Sequence, residues 1–231
     1  MNTRTDTMTT TELILVRHGE TAWNRARRIQ GHIDVPLSEV GRRQARAVGL
    51  RLATEPVDAV VSSDLARARQ TAEAIGEACG LAVSIDARLR ERAYGAFEGH
   101  EHDTLRREQA ESYARWLARE PGFALPGGGE SLIDFQARIE RVLHELAARH
   151  AGRRVVLVTH GGVLDAARRI DGALALEAAR TFGLPNAGIN RLRWRDGRFC
   201  VLDWADISHL GASLDDTEPP GGGPAHPVPA R

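Results

Sequence analysis

Short runs of apolar residues alternate with longer amphipathic segments along most of the chain. Each short run has the length and composition of a strand that is buried in a sheet. The predicted strands are Leu13–Val16, Val57–Val61, Leu81–Ile85, Val155–Thr159, Ile189–Trp194 and Phe199–Trp204. The dipeptide Asp196-Gly197 lies between the last two runs and is a strong signal for a β-hairpin turn.

Between these runs, apolar residues recur every three or four positions, which is the spacing of one face of a helix. The predicted helices follow Ser38, cover Leu65–Cys79 and residues 103–120, run from Glu130-Ser131 to Gly152, cover Val163–Arg169 and lie near Glu177–Phe182. Strands that alternate with helices are typical of an α/β fold. We therefore expect a three-layer sandwich with a mostly parallel central sheet, an antiparallel edge formed by the hairpin, and helices on both faces.

Length and composition indicate one domain with terminal extensions. A chain of 231 residues, of which 42% are hydrophobic, can bury one sizeable core, and we predict a single domain over residues 12–207. Residues 1–11 are polar and threonine-rich, so we predict a flexible lead-in. We predict that residues 208–231 form a disordered tail, because proline, glycine and acidic residues dominate from Asp215 onward.

Charge and cysteine content exclude several classes of protein. With 31 basic and 31 acidic residues, we expect neither a nucleic-acid partner nor a membrane surface, and any anion site has to be local. Cys79 and Cys200 lie far apart and form neither a disulfide framework nor a zinc motif. The sequence contains no run that could span a bilayer and no apolar signal region, so we expect a cytoplasmic protein. Nothing in the sequence indicates the oligomeric state.

The first predicted strand ends abruptly at Arg17-His18-Gly19. Ligand sites of open α/β sheets lie at the carboxyl ends of strands, where a glycine lets the backbone turn tightly and approach a ligand. A neutral histidine can attack phosphorus and carry the phosphoryl group covalently. The charge of Arg17 disfavours the imidazolium form of His18, and its guanidinium group can bind phosphoryl oxygens. An isolated Arg-His-Gly tripeptide is also common in purely structural positions, so the rest of the chain has to decide.

A second strand ends in the same way, at His160-Gly161-Gly162. Two strand ends that each present a histidine can converge on one site, which weakens a purely structural interpretation. Arg67 lies in the first turn of the helix that follows the predicted N-cap cluster Ser62-Ser63-Asp64. An arginine there opposes the helix dipole, which favours anion binding, with a simply exposed arginine as the alternative. The charged, glycine-rich loop 89–99 could hold a general acid or only solvated carboxylates.

Five blocks of sequence carry a family resemblance. They are Arg17-His18-Gly19-Glu20-Thr21 with Asn24; Gln30-Gly31 with Pro36-Leu37-Ser38; Ser62-Ser63-Asp64-Leu65 with Arg67-Ala68 and Gln70-Thr71-Ala72; Leu89-Arg90-Glu91 with Gly95 and Glu98-Gly99; and Thr159-His160-Gly161-Gly162. Together and in this order, they resemble the histidine phosphatase superfamily in its phosphoglycerate mutase-like branch. Each block alone is weak, but five in order are specific, and the resemblance covers roughly residues 12–205.

The resemblance implies that His18 is the nucleophile that becomes phosphorylated. Arg17, Arg67 and His160 would form a positively charged phosphate pocket, with Asn24 assisting. Phosphoryl transfer needs in-line positioning and stabilisation of charge. The two arginines and a protonated His160 would replace a metal ion in that role.

The resemblance also implies a general acid and a set of substrate contacts. Glu91 would protonate the leaving oxygen and then deprotonate the attacking water or alcohol, so we expect it in a partly dry cleft. Further substrate contacts are predicted at Thr21, Gln30, Gly31, Arg92, Tyr94 and Gly161. The implied partner is a small phosphorylated metabolite. No metal and no cofactor are implied, apart from 2,3-bisphosphoglycerate if the enzyme is a mutase.

Several positions bear on the choice between hydrolysis and isomerisation. Arg92 and Tyr94 look like the bisphosphoglycerate-dependent mutases, in which the equivalent residues contact substrate. His100-Glu101-His102 stands where mutases carry a lysine, and Gly162 stands where they carry an asparagine. The segment 126–131 looks like the phosphatase subgroup. Because groups that would retain the intermediate are missing, we expect water to take the phosphoryl group.

We therefore predict a metal-independent phosphomonoester hydrolase that acts on small phosphorylated metabolites through a phosphohistidine intermediate. A phosphoglycerate mutase is the alternative. A non-catalytic phospholigand-binding protein is a third hypothesis, which is disfavoured because every expected catalytic position holds the required residue type. The identity of the substrate depends on residues 100–130, which we expect to form a lid.

Overall fold

The structure of the chain, a computed structural model, describes residues 10–170 and 174–211. The strands are β1 (Thr11–Arg17), β2 (Ala59–Ser62), β3 (Val83–Ile85), β4 (Arg154–Thr159), β5 (Ile189–Arg195) and β6 (Arg198–Asp206). The helices are α1 (Ala22–Arg25), α2 (Glu39–Leu52), α3 (Ala66–Cys79), α4 (His102–Glu108), α5 (Ala110–Leu117), α6 (Leu132–Arg149) and α7 (Gly161–Arg168). Two short 3-10 turns, Ala87–Leu89 and Gly95–Phe97, lie between β3 and α4.

The strands form one sheet in the order β3-β2-β4-β1-β5-β6. The first four strands of this order pair in parallel, whereas β5 pairs antiparallel with both β1 and β6. The hairpin between β5 and β6 turns at Asp196 and Gly197, whose φ angles of 51° and 74° are both positive, as a tight two-residue turn requires. The predicted three-layer α/β fold with an antiparallel edge is confirmed.

Helices cover both faces of the sheet, which explains why β1 and β4 are continuously apolar. Successive side chains of a strand point to opposite faces. Leu13 and Leu15 belong to the apolar cluster that includes α6 and α7, whereas Ile14 and Val16 belong to the cluster that includes α2 and α3. The ends of the central strands are therefore anchored from both sides.

A third, smaller apolar cluster lies apart from these two layers. Its buried members are Ile29, Phe97, Leu105, Tyr113 and Leu125, and Tyr94, Trp116 and Phe123 pack against it. Most of these residues fall in or near the predicted lid segment. The prediction of one helix over residues 103–120 is wrong, because α4 and α5 meet at Gln109, whose φ of −134° and ψ of 43° are not helical.

The start of α3 also differs from the prediction. Its N-cap residue is Leu65, which makes no side-chain cap. Asp64 instead accepts hydrogen bonds from the guanidinium group of Arg90, at 2.7 and 2.5 Å. The N–H of Ala66 donates to the carboxylate of Asp34 at 2.7 Å. A carboxylate from the loop after α1 thus replaces the predicted local cap and ties that loop to the first turn of α3.

The predicted helix near Glu177–Phe182 is absent, and this described segment consists of turns, bends and irregular chain. The guanidinium group of Arg169 donates to the carbonyl oxygens of Ala175 and Ala178. A buried side chain therefore satisfies carbonyl groups that a helix would have paired with its own N–H groups.

The packed chain extends past both predicted ends of the domain. Thr11 is a buried residue of β1, and Leu210 is buried in the cluster that includes α2 and α3. The remaining residues of the predicted flexible ends, 1–9 and 212–231, lie outside the described residues. Within the described ranges, no helix is long and apolar enough to cross a membrane.

Replacing Leu143 of α6 by alanine tests the packing of the layer that α6 and α7 form. Leu143 is fully buried, so its truncation leaves a cavity, and we expect the free energy of unfolding to fall by about 2–5 kcal/mol. Leu50 is 68% exposed, and Leu50→Ala is a control that we expect to change stability by less than about 0.5 kcal/mol. Urea unfolding measures both variants. Equal stabilities for the two variants would contradict the described packing.

Candidate active site

The ends of three neighbouring parallel strands meet at one edge of the sheet. The N–H of His18 donates to the carbonyl oxygen of Thr159 at 2.9 Å, which continues the pairing of β1 with β4 beyond the last strand residue. The N–H of Ser63, after β2, donates to Val158 at 3.0 Å. As a result, the rings of His18 and His160 lie with their centroids 5.2 Å apart. The predicted convergence of the two strand-end histidines is what the structure shows.

The side chain of His18 is held as a neutral imidazole. Its Nδ1 lies 2.8 Å from the carbonyl oxygen of Gly19, and because a carbonyl only accepts, the proton sits on Nδ1. The lone pair is then on Nε2. Burial lowers the pKa of His18 well below its usual value, and the charges of Arg67 and Arg17 lower it further. The ring therefore stays neutral, with the lone pair of Nε2 free to act as a nucleophile.

Gly19 permits a close approach between the turn after His18 and a neighbouring helix. A Cβ atom on Gly19 would lie 2.5 Å from the carbonyl oxygen of Gly41, in the first turn of α2. This glycine therefore permits a close approach to the backbone of α2. It packs the turn after His18 against a rigid helix.

A loop before β5 fixes the backbone of Arg17 and His18, which sequence analysis missed. The side-chain amide of Asn186 donates to the carbonyl oxygen of His18 at 2.8 Å. The N–H of Ala187 donates to the carbonyl oxygen of Arg17 at 3.0 Å. The guanidinium group of Arg17 donates to the carbonyl oxygen of Leu184. These bonds join positions about 170 residues apart in the chain, and no local pattern marks them.

Arg67 is almost fully buried. The alternative interpretation of Arg67 as a simply exposed arginine is therefore wrong. Its guanidinium group donates to the carbonyl oxygens of Gly31 at 2.7 Å and Ile33 at 3.0 Å. Burial lowers its pKa to about 10, so it remains charged at neutral pH. The positive φ of 52° at Gly31 belongs to the turn that presents these two carbonyl groups.

Three buried nitrogen atoms of this cluster have no hydrogen-bond partner among the described residues: Nε of Arg17, Nε of Arg67 and Nδ1 of His160. Buried donors are nearly always paired in folded proteins. Three unpaired nitrogens in one cluster of basic side chains indicate a site for an anion.

His160 differs from the expectation of a protonated ring. Its Nε2 lies 2.8 Å from the hydroxyl oxygen of Ser63, and the residue is fully buried. Burial lowers its pKa well below the usual value, and the charge of Arg67 adds to this effect. The protein groups alone therefore favour a neutral ring, because each neighbouring positive charge disfavours a further one.

The carboxylate of Glu91 accepts two backbone hydrogen bonds. Oε1 accepts from the N–H of Arg92 at 2.7 Å, and Oε2 accepts from the N–H of Gly162 at 2.9 Å. The residue is half-buried, as expected for a partly dry cleft. The carbonyl oxygen of Glu91 lies 2.8 Å from Nε2 of His32, which fixes the backbone as well.

Arg138 of α6 clamps the segment that carries Glu91, a function that sequence analysis also missed. Its guanidinium group donates to the carbonyl oxygens of Arg88, Arg90 and Glu91, at 2.7, 3.0 and 3.2 Å. It also forms a two-point ion pair with Glu130, with both contacts at 2.8 Å. Arg138 lies in the middle of an amphipathic helix, and nothing in the local sequence indicates that it binds the backbone near Glu91.

The strand ends and residues of the third apolar cluster line a partly open cavity of about 140 Å³. The predicted site residues that line it are Arg17, His18, Asn24, Gln30, Gly31, Arg67, Glu91 and Tyr94. The lining residues that sequence analysis did not select are Arg28, Ile29, His102 and Trp116. The last two belong to α4 and α5, so part of the predicted lid does face the cavity.

Three predicted substrate contacts lie behind the lining. The hydroxyl oxygen of Thr21 lies 3.0 Å from the side-chain oxygen of Gln30 and 3.1 Å from that of Asn24, and its one proton can be donated to either of them. Arg92 donates to the carbonyl oxygen of Glu130 at 3.0 and 2.6 Å. Gly161 lies beside the guanidinium group of Arg17. These residues support the lining, and nothing in their contacts points to a bound substrate.

Comparison with known proteins agrees with the geometry. Residues 13–207 match the sequence model of the histidine phosphatase superfamily (branch 1). The chain is 39% identical over 202 residues to "Phosphoglycerate mutase-like protein 4" of Arabidopsis thaliana, covering 86% of each chain. It is 41% identical over 206 residues to "Metal-independent phosphoserine phosphatase" of the same plant, covering 87% of this chain and 84% of the relative. A solved mycobacterial glucosyl-3-phosphoglycerate phosphatase superposes with a TM-score of 0.74 at 35% identity, covering 85% of this chain and 99% of the other.

The chain belongs to the histidine phosphatase superfamily. The predicted class of enzyme, a phosphomonoesterase of this superfamily, is confirmed. Among the described residues, no group of three or more histidine, cysteine, aspartate or glutamate side chains is arranged to hold a metal ion.

The lowered pKa values of His18 and His160 predict how both rings respond to pH. A ring is neutral above its pKa, so both rings stay neutral when the pH falls from 8 through 6.5, the ordinary histidine value. Nitrogen-15 NMR of the imidazole rings measures this directly, and the variant His18→Asn identifies the signal of His18. In phosphate-free buffer without any ligand, a ring of either residue that gains its proton at or above pH 6.5 would show that the described burial is wrong.

Proposed function

We propose that this chain is a metal-independent phosphomonoesterase that hydrolyses a small phosphorylated metabolite through phospho-His18. One observation carries the proposal: the Nε2 lone pair of a neutral histidine lies in the same buried cluster as unpaired arginine and imidazole nitrogens. A nucleophile next to unpaired cationic donors fits a phosphoryl group better than any neutral ligand.

In the first half-reaction, the phosphate group of the substrate binds between Arg17 and Arg67, and Asn24 donates through its side-chain amide. Nε2 of His18 attacks the phosphorus atom, and the bond from phosphorus to the leaving oxygen breaks. The carboxylic acid of Glu91 gives its proton to that oxygen, so the product leaves as an alcohol. Glu91 is then a carboxylate.

In the second half-reaction, water attacks the phosphorus atom of phospho-His18. The carboxylate of Glu91 takes a proton from this water, and the bond between Nε2 and phosphorus breaks. Inorganic phosphate leaves, and both His18 and Glu91 return to their starting forms. The two arginines stabilise the charge on the transferring oxygens throughout, which is the contribution that a metal ion makes in other phosphatases.

His160 gains its proton only with the ligand in this scheme. A phosphate dianion beside the ring favours the imidazolium form and opposes the effect of Arg67. The binding of phosphate and the protonation of His160 are then coupled. In this proposal His160 is positively charged when phosphate is bound, although the protein groups alone favour its neutral form.

Hydrolysis is favoured over isomerisation by the position of Arg92. The resemblance to mutases would give this residue to the substrate, but Arg92 does not line the cavity, and its guanidinium group donates to the carbonyl oxygen of Glu130. A phosphoglycerate mutase remains the alternative, since several relatives are named as phosphoglycerate mutases or as similar to them. Phosphoserine and phosphoglycerate esters are the first metabolites to test, because related phosphatases are named for them. A cytoplasmic location stays a prediction.

An activity assay separates the candidate functions. We expect phosphate release from p-nitrophenyl phosphate in the presence of a chelator, and no isomerisation of 3-phosphoglycerate when 2,3-bisphosphoglycerate is added. Stimulated formation of 2-phosphoglycerate with little free phosphate would identify a mutase. Binding of phosphate esters without turnover would identify a non-catalytic binding protein.

Replacing His18 by alanine removes the proposed nucleophile. We expect turnover to fall more than about a thousandfold while the circular dichroism spectrum is unchanged. His150→Ala is the matched control, because His150 ends α6 on the amino-terminal side of β4, at the opposite edge of the sheet. Substantial turnover in His18→Ala would exclude His18 as the nucleophile.

Replacing Glu91 by glutamine tests the proposed acid and base. With p-nitrophenyl phosphate, whose leaving group needs little protonation, we expect His18 to be phosphorylated and the phosphoenzyme to accumulate. Alkaline quenching followed by mass spectrometry detects this acid-labile species. The exposed Glu73→Gln is the control and should show no accumulation. If Glu91→Gln turns over as the wild type does, another group performs the proton transfers.

A further inference from the structure

The carboxylate of Glu91 is oriented by two N–H groups that come from different parts of the chain. One is the N–H of Arg92, the next residue in the chain, which moves together with Glu91. The N–H of Gly162 belongs to the first turn of α7, directly after His160, and it donates to Oε2 at 2.9 Å. The helix start therefore fixes where the carboxylate stands relative to the phosphate cluster.

The space at Gly162 is taken by Glu91 itself. A Cβ atom on residue 162 would lie 2.1 Å from Oε1 and 3.1 Å from Cδ of Glu91, and 3.4 Å from the ring of Phe135. The shortest of these separations is far below van der Waals contact. A methyl group there has to displace the carboxylate, which is the movable end of a side chain, whereas the backbone of α7 tolerates it.

The N–H of Gly162 is also available to Glu91 for a structural reason. The first N–H groups of a helix have no partner within the helix. This donor binds the carboxylate without breaking a bond of α7, and the alignment of the helix makes a negative charge favourable there. The first turn of α7 thus follows His160 directly and also holds the carboxylate of Glu91.

We propose that Gly162 is a positioning residue for the proton transfers of Glu91. The inference rests on the proposed function, because it assigns Gly162 to the groups that perform that reaction. Both the hydrogen bond and the missing side chain are needed to place the carboxylate beside the leaving oxygen. Gly162 itself transfers no proton and does not line the cavity.

The variant Gly162→Ala tests the proposal through the dependence on the leaving group. Phenol is a weaker acid than p-nitrophenol, so phenyl phosphate needs a proton from Glu91 more than p-nitrophenyl phosphate does. In single-turnover experiments, we expect phosphorylation by phenyl phosphate to slow by about tenfold or more, and by p-nitrophenyl phosphate by less than about threefold. Hydrolysis of the phosphoenzyme, which needs Glu91 as a base, should also slow by about tenfold.

The matched control is Gly122→Ala. An added Cβ atom at Gly122 meets no heavy atom within 4 Å, so this variant should keep both rates. Alanine has a higher helix propensity than glycine, and we expect Gly162→Ala to retain the wild-type unfolding midpoint. If it does not fold, the double variant Gly162→Ala/Glu91→Asp is compared with Glu91→Asp, in which the shorter side chain leaves room for the methyl group. In that background we expect the methyl group to slow neither rate further, and slowing there would overturn the proposal.

A double-mutant cycle with Glu91→Gln separates positioning from a general structural effect. If Gly162 acts through Glu91, then Gly162→Ala should not slow phosphoenzyme hydrolysis further in the Glu91→Gln background. Equal slowing with both phosphate esters, no slowing at all, or further slowing in the Glu91→Gln background would overturn the proposal. If the wild type forms no phosphoenzyme, the proposed function itself fails, which is a separate result.

Discussion

The structure depends on keeping two guanidinium groups charged in a buried place without neutralising them. Arg17 is 8% exposed and Arg67 is 1% exposed, and both face the same cavity. A buried charge is costly unless hydrogen bonds compensate for its lost hydration. In this protein, the terminal nitrogens of both guanidinium groups donate to backbone carbonyl oxygens, which carry only partial charges, and Nε of each side chain has no partner among the described residues. The positive charge is therefore held in place but remains available to an anionic ligand.

The need for backbone carbonyl groups next to Arg17 and Arg67 determines which loops surround the site. The loop after α1 presents the carbonyl groups that hold Arg67, and the loop before β5 presents the one that holds Arg17. Each loop is tied to the core by further bonds: Asp34 caps α3, and Asn186 binds the backbone of His18. A carboxylate partner would have satisfied either arginine more strongly, but it would have competed with the ligand for the same donors. The carboxylates nearby are engaged elsewhere, as Asp64 is with Arg90.

The parts of the site that could be predicted from the sequence are those set by single elements. An apolar run followed by a histidine fixes a strand end locally, and the parallel pairing of β1 with β4 then brings His18 and His160 together. The contributions of Asn186, Arg138 and His32 could not be predicted, because each acts on backbone groups from a distant segment. The false helix near Glu177–Phe182 has the same origin, since Arg169, directly after α7, donates to the carbonyl oxygen of Ala178 in that segment. Without a ligand, a protonated His160 is disfavoured first by burial and then by the charge of Arg67, and no sequence pattern displays that burial.

The two ends of the cavity rest on different parts of the hydrophobic core, and these parts differ in how freely their side chains can be substituted. Its phosphate end rests on the strand ends and on the two main core layers. Its outer end is lined by Trp116 and His102, which belong to the segment with its own small apolar cluster. The rings of Trp116 and His102 stack at 5.6 Å, and Tyr94 meets Trp116 edge to face at 6.0 Å. These aromatic contacts involve none of the groups that hold Arg17, Arg67 and His18. We therefore expect substitutions at the outer end to change the surface offered to the leaving group without breaking the bonds at the phosphate end.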